Sequence, residues 1–192
     1  MTRLVLGIVV LLLAAGAAAA TPPVPTPIGV GPMFHPAPSN VSVDRGLPVG
    51  ALACTRRNVS RAGVHLELFA RGRVVIVPAG IGVALPIRRQ GVYVLSGRCS
   101  YPVRTRQPTG VIELASTRLT LGDFFAVWGR SLSAKRLLGF GAAPGEQVRA
   151  YVNGSRRPGN ARSIPLRRHD EIVLELDGYI PPHASYRFPK GL

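Results

Sequence analysis

The sequence predicts an α+β fold, mostly β-strands with one main amphipathic helix, in a β-grasp-like order. Three observations predict it. Short segments such as "VHLELFA", "GVIELAS" and "EIVLEL" alternate apolar and polar residues or run apolar at strand length. Turn signals such as "RG" and "NG" separate them. A single stretch of helical period lies between the first and last groups of strands, and strand, strand, helix, strand, strand is the β-grasp sequence of elements. A plain β-sandwich is the alternative, because sequence order alone does not choose the strand pairing.

The elements follow in order. "VHLELFA", the turn at Arg71 and Gly72, and "RVVIVPAGIGVALPI" predict a hairpin continuing into further sheet, with "GVYVLSG" after it. "GVIELAS" predicts a strand with Ile112 and Leu114 on one face and Val111 and Glu113 on the other, since successive side chains alternate. Thr120 and Asp123 form a capping box, and Leu121, Phe124, Phe125, Trp128 and Leu132 recur at helical spacing, a stripe that reads as core. "VRAYV", the turn at Asn153 and Gly154, "SIPL" and "EIVLEL" supply the last strands.

Ahead of these lies "MTRLVLGIVVLLLAAGAAAATPP": Arg3 is a minimal positive n-region, Leu4 to Leu13 an apolar core, and Ala18 and Ala20 the small residues of a cleavage site. Residues 1–20 are therefore read as a signal peptide cut after Ala20. The apolar run of about 17 residues is near the lower limit for spanning a bilayer, so an uncleaved membrane anchor is the alternative. No cysteine for lipid attachment and no twin arginine lies nearby. Residues 21–48 are proline-rich and aperiodic and read as an extended tether carrying a solvated His35, which leaves 49–192 as one domain.

The formal charge is +15, with arginine greatly outnumbering lysine, of which there are only Lys135 and Lys190. The arginines are spread along the chain without a clustered stripe or interleaved aromatics, so nucleic acid is not the expected partner. An anionic cell-envelope polymer or lipid surface is the partner that charge alone would attract. Cys54 and Cys99 are the only cysteines, and in an exported chain they are expected to pair. Closing that loop is worth roughly 4 kcal/mol in the chain-entropy account.

Three segments, "VHLELFARGRVVIVPAGIGV", "CSYPVRTRQPTGVIELAS…LTLGDFFAVWGRSLS" and "VRAYVNG…SIPLRRHDEIVLEL…SYRFPKGL", together resemble a family of uncharacterised exported bacterial and archaeal proteins. That family's motifs read H-x-H-x-H-L, C-x-Y-W-x-H-T-H-D, G-x-I-H-I-E-S and TLGDFFxxWG. The resemblance implies a metal site there, because histidines spaced by two on a strand share a face. Here only His65 of the first triplet remains, beside Arg61 and Gly63; H-T-H-D has become Arg104, Thr105, Arg106 and Gln107; the next histidine has become Glu113. Arginine has no lone pair to offer a metal.

What stands in place of the histidines is an arginine and glutamate face, since Glu67 shares a face with His65 and Glu113 faces the arginines. The sequence thus predicts a non-enzymatic exported domain with a binding or structural role, a degenerate metal site, one disulfide and no cofactor. Its candidate anion-binding residues are Arg61, Arg104, Arg106 and His65. A reduced metal site at His65, Glu67 and Glu113 is the alternative, and a charge-driven binder of envelope polymer or lipid is a third reading. His169, Asp170 and Glu171 are read as polar residues where a loop enters a strand, and His183 as exposed. No G-x-S-x-G elbow marks a hydrolase, and "GFGAAPGEQ" lacks the lysine of a phosphate-binding loop.

Overall fold

The computed structural model describes residues 31–38 and 40–192; the leader and its cleavage site lie outside the described residues. The strands are β1 (Met33–Phe34), β2 (Ala62–Ala70), β3 (Arg73–Val75), β4 (Arg88–Gln90), β5 (Tyr93–Ser96), β6 (Val103–Arg104) and β7 (Val111–Leu114). After the main helix come β8 (Leu132–Ser133), β9 (Arg136–Leu137), β10 (Phe140–Gly141), β11 (Arg149–Val152), β12 (Ser155–Arg156) and β13 (Glu171–Leu176). The helices are α1 (Val41–Asp44) and α2 (Leu121–Trp128).

The main sheet runs β1-β3-β2-β13-β11-β12. Its centre is the parallel pair β2 and β13, with hairpin β2–β3 on one side and β11–β12 on the other. With α2 over one face this is the β-grasp order, and not the two facing sheets of a sandwich. The nine-residue β2 is long enough to share one edge between two partners: Leu68 to Ala70 pair with β3, and Ala62 to His65 with β7, which in turn carries β6.

Alternation divides the sheet into two faces. Val64, Leu66, Leu68 and Ala70 of β2, with Ile112, Leu114, Ile172, Leu174 and Leu176, join Leu121, Phe124, Phe125 and Trp128 of α2 in the main core. Each such large side chain contributes about 1.5–3 kcal/mol on burial. Helix α2 begins with the predicted capping box, Thr120 accepting from the Asp123 N–H and Asp123 from the Thr120 N–H. It stops at Trp128 because Gly129 turns left-handed at φ 68°. Leu132, assigned by its spacing to the helical stripe, is buried in β8 instead.

Two further expectations are corrected. The folded part starts upstream of residue 49: β1 pairs with β3, Val43 is buried, and Asn40 Nδ2 donates to the Ala126 and Val127 carbonyls at the end of α2. The prolines of residues 33–48 are compatible with packing along an edge, where no ladder N–H is needed. "SIPL" is not a strand, since Asn160 caps a 3-10 turn, Ala161–Ser163, and Pro165 keeps only an isolated bridge to Thr120. Cys54 and Cys99 form the expected disulfide, with Thr55 and Ser100 paired beside it. No described helix is long and apolar enough to cross a membrane.

Candidate functional site

The second face of the sheet carries Gly63, His65, Glu67 and Phe69 of β2, Val111 and Glu113 of β7, and Glu171, Val173 and Glu175 of β13. Residues 177–192 run across it. Gly63 is where this covering segment comes closest: a Cβ there would lie 3.1 Å from Phe188 and Leu192 side-chain atoms. Glu67, Glu113, Glu171 and Glu175, four of the nine acidic residues of the chain, are buried on this one face. Buried carboxylates are kept only where something compensates them, and three different arrangements do so.

The first is the predicted arginine and glutamate cluster. Register places Arg104 opposite Glu113. Glu113 Oε2 accepts from Arg104 Nε at 3.2 Å, from Arg106 Nε at 3.1 Å and from the Ser60 hydroxyl. Arg104 also donates to Ser100 Oγ (3.0 Å), the Asn58 carbonyl (2.9 Å) and Ser60 Oγ (2.6 Å). Burial, and then repulsion from Arg106, weaken the hold of Arg104 on its proton, and Glu113 opposes them. The second is Glu175, which accepts from Arg149 Nη2 at 3.2 Å and the Ile180 N–H at 3.1 Å.

The third centres on His65. Parallel pairing sets Glu171 directly beside it. Thr109 offers a carbonyl 2.8 Å from Nε2, so Nε2 carries a proton and donates it. Nδ1 then faces both oxygens of the fully buried Glu171 at 2.8 and 2.9 Å. Two bare acceptors do not settle at that separation, so a proton lies between them in a hydrogen bond. The Tyr186 ring stacks on His65, centroids 3.7 Å apart and 8° from parallel, and covers its face. Gly110 makes the Thr109 approach possible: it sits at φ +80°, and a Cβ there would fall 2.6 Å from the Leu66 carbonyl and 2.8 Å from His65 Nε2.

Glu67 completes this group and is its least compensated member. Oε2 lies 3.2 Å from Nδ1 of the half-exposed His183, while Oε1 is buried with no hydrogen-bond partner and sits 3.8 Å from His65 Nδ1. Burial, and then the neighbouring charge of Glu171, raise its carboxyl above the usual range, against the opposing pull of His183 and His65. An acid raised in the folded state binds more protons folded than unfolded, so its ionisation removes stability as pH climbs from the unfolded value of 4.5 through the raised one. Glu67→Gln is therefore expected to flatten the fall in Tm above pH 4.5 in chelator-treated protein. Thermal melts across pH, with wild type and variant side by side, check this.

The residues anticipated as one site thus separate. Arg104 and Arg106 sit on Glu113, His65 on Glu171, and Arg61 is exposed with no side-chain partner among the described residues. In the alternative metal set, Glu113 does not join His65 and Glu67; Glu171 does, the ligand atoms of those three lying within 4.8 Å of one another. Glu171 and Glu175 share a face by period two in "EIVLEL", a signal present in the sequence but usable only once β13 is known to lie beside β2. His183 and Tyr186 carried no such signal. His169, at φ 65°, stacks on Phe188 and bonds the Leu192 carbonyl, anchoring the covering segment, and Asp170 accepts from Asn153 in the turn. Among family models, curated proteins and solved structures, none matches this chain.

Proposed function

We propose that the protein is a non-catalytic binding domain of the cell exterior whose buried His65, Glu67 and Glu171 hold one divalent transition-metal ion, with His183 as a further donor from the covering segment. The observation that carries this reading is Glu67 Oε1: a buried carboxylate oxygen without a donor, within 4.8 Å of a ligand atom of Glu171 and of an imidazole nitrogen of His65. The Nε2–H bond from His65 to Thr109 is the outer-shell contact that fixes a ligating imidazole's tautomer. One or two imidazoles with two carboxylates suit zinc and its neighbours better than calcium or magnesium, which prefer all-oxygen sets. The arginine and glutamate cluster is structural in this reading. The exterior location rests on the leader and is supported by the disulfide. The withdrawal of four carboxylates onto one face leaves the remaining surface more basic than the composition, which supports a second, weaker association with an anionic envelope polymer or lipid surface.

Titration of chelator-treated, untagged protein with zinc is the test. One equivalent should bind, and at a free concentration of about a hundred times Kd it should stabilise the fold by about 2.7 kcal/mol. Glu67→Gln keeps the shape and the His183 contact, and should abolish saturable uptake without lowering the Tm of the metal-free protein. Folded wild type that takes up no stoichiometric zinc, copper or manganese would sink the proposal.

A further inference from the structure

A cavity of about 110 Å³ opens beside Arg104 and Arg106 of the Glu113 cluster. Its walls come from the end of β5 (Leu95, Ser96) and Gly97 just after it, from the disulfide segment with Ser100, and from Arg56 and Asn58; Arg104 and Arg106 also line it. The Cys54–Cys99 link and the Thr55–Ser100 pairing bring Arg56 there, from a stretch otherwise without regular structure.

A count of donors against acceptors defines what this cavity accepts. Glu113 Oε2 takes the Nε–H of both Arg104 and Arg106, so the forked ends of the two guanidiniums are left for other partners. Three carbonyl acceptors of the wall are already engaged: that of Asn58 by Arg104, that of Leu95 by Arg106 Nη1, and that of Ser100 by Asn58 Nδ2. Donors are left over. Arg106 Nη2, the whole guanidinium of Arg56, and the Ser96 hydroxyl have no partner among the described residues. Ser100 Oγ accepts from Arg104, which leaves its own proton free to point into the cavity. Three guanidinium charges stand against the single carboxylate of Glu113, an excess of two.

A concave site with surplus N–H and O–H donors and net positive charge favours a compact group that only accepts hydrogen bonds. We infer that this cavity is an oxyanion site for a phosphate or sulfate group, held by Arg56 and Arg106 with Arg104 as the fixed base of the pocket. It is independent of the metal reading and shares none of its ligands. His65 and Arg61 do not line it.

The test is isothermal titration of the full, disulfide-intact chain with inorganic phosphate and with sulfate, chelator present so that the metal question cannot interfere. One anion per chain is expected. Arg56→Gln and Arg106→Gln should each weaken binding by about tenfold or more, while Arg157→Gln, an exposed arginine outside the cavity, should leave it unchanged. Methyl phosphate and dimethyl phosphate then separate the sources: preference for the monoester assigns a free or terminal phosphate, and equal uptake of the diester assigns a polymer backbone or lipid headgroup. Absence of saturable binding, or an Arg157→Gln effect as large as that of Arg106→Gln, would reduce the cavity to diffuse surface charge and overturn the inference.

Discussion

Arg104→Met should destabilise the fold by about 3–5 kcal/mol, the cost of breaking a buried ion pair from one side. Arg104 is 3% exposed and donates to four different groups. Its loss leaves the Asn58 carbonyl without that donor and Glu113 held by Arg106 and Ser60 alone. The double variant Arg104→Met with Glu113→Leu removes both charges and should recover most of the loss, because a desolvated pair is often matched by apolar residues of similar volume. Urea midpoints at unchanged m-value give the comparison. A loss below about 1 kcal/mol in the single variant would place this cluster with solvated surface pairs and contradict its structural role.

Trp128→Ala carries the second large expected effect, about 3–5 kcal/mol for emptying the site of a fully buried indole. The ring contacts Phe124 and Phe125 with centroids 5.6 and 5.7 Å away, and its Nε1–H donates to the Ala37 carbonyl at 3.0 Å. That bond ties the proline-rich stretch to the core, so a second consequence is distinctive. Amides of α1 and the turn after it should exchange faster in the variant, relative to the rest of the sheet, than global destabilisation alone explains. Trp128→Phe retains most of the packing and loses the bond, and should cost about 1 kcal/mol from that term. Native-state hydrogen exchange on both variants measures the difference.

The elements with the strongest local patterns were legible in the sequence. Thr120 and Asp123 announced α2, Asn153 and Gly154 the turn between β11 and β12, and Arg71 and Gly72 the first hairpin. The cysteine count announced the disulfide. What escaped were features decided by long-range contact. Proline content suggested a tether over residues 21–48, yet within 33–48 a two-residue strand and one turn of helix are held by contacts with β3 and α2. The short strands β8 to β10 have too little length to show a period. The candidate site was half visible: Glu113 with its two arginines followed from alternation along neighbouring strands, whereas Glu171 reaches His65 only through a pairing across 106 residues.

That central pairing also dictates when the domain can form. The strand that starts at Ala62 finds its longest partner only when the strand ending at Leu176 exists, so the middle of the sheet stays open while more than half of the domain is still being made. Until then β2 offers one unpaired edge, because its hairpin with β3 and its contact with β7 both use the opposite edge. Closure across so long a loop is slow compared with local pairing. The centre of the sheet therefore closes last, after the β2–β3 hairpin, which needs only local pairing.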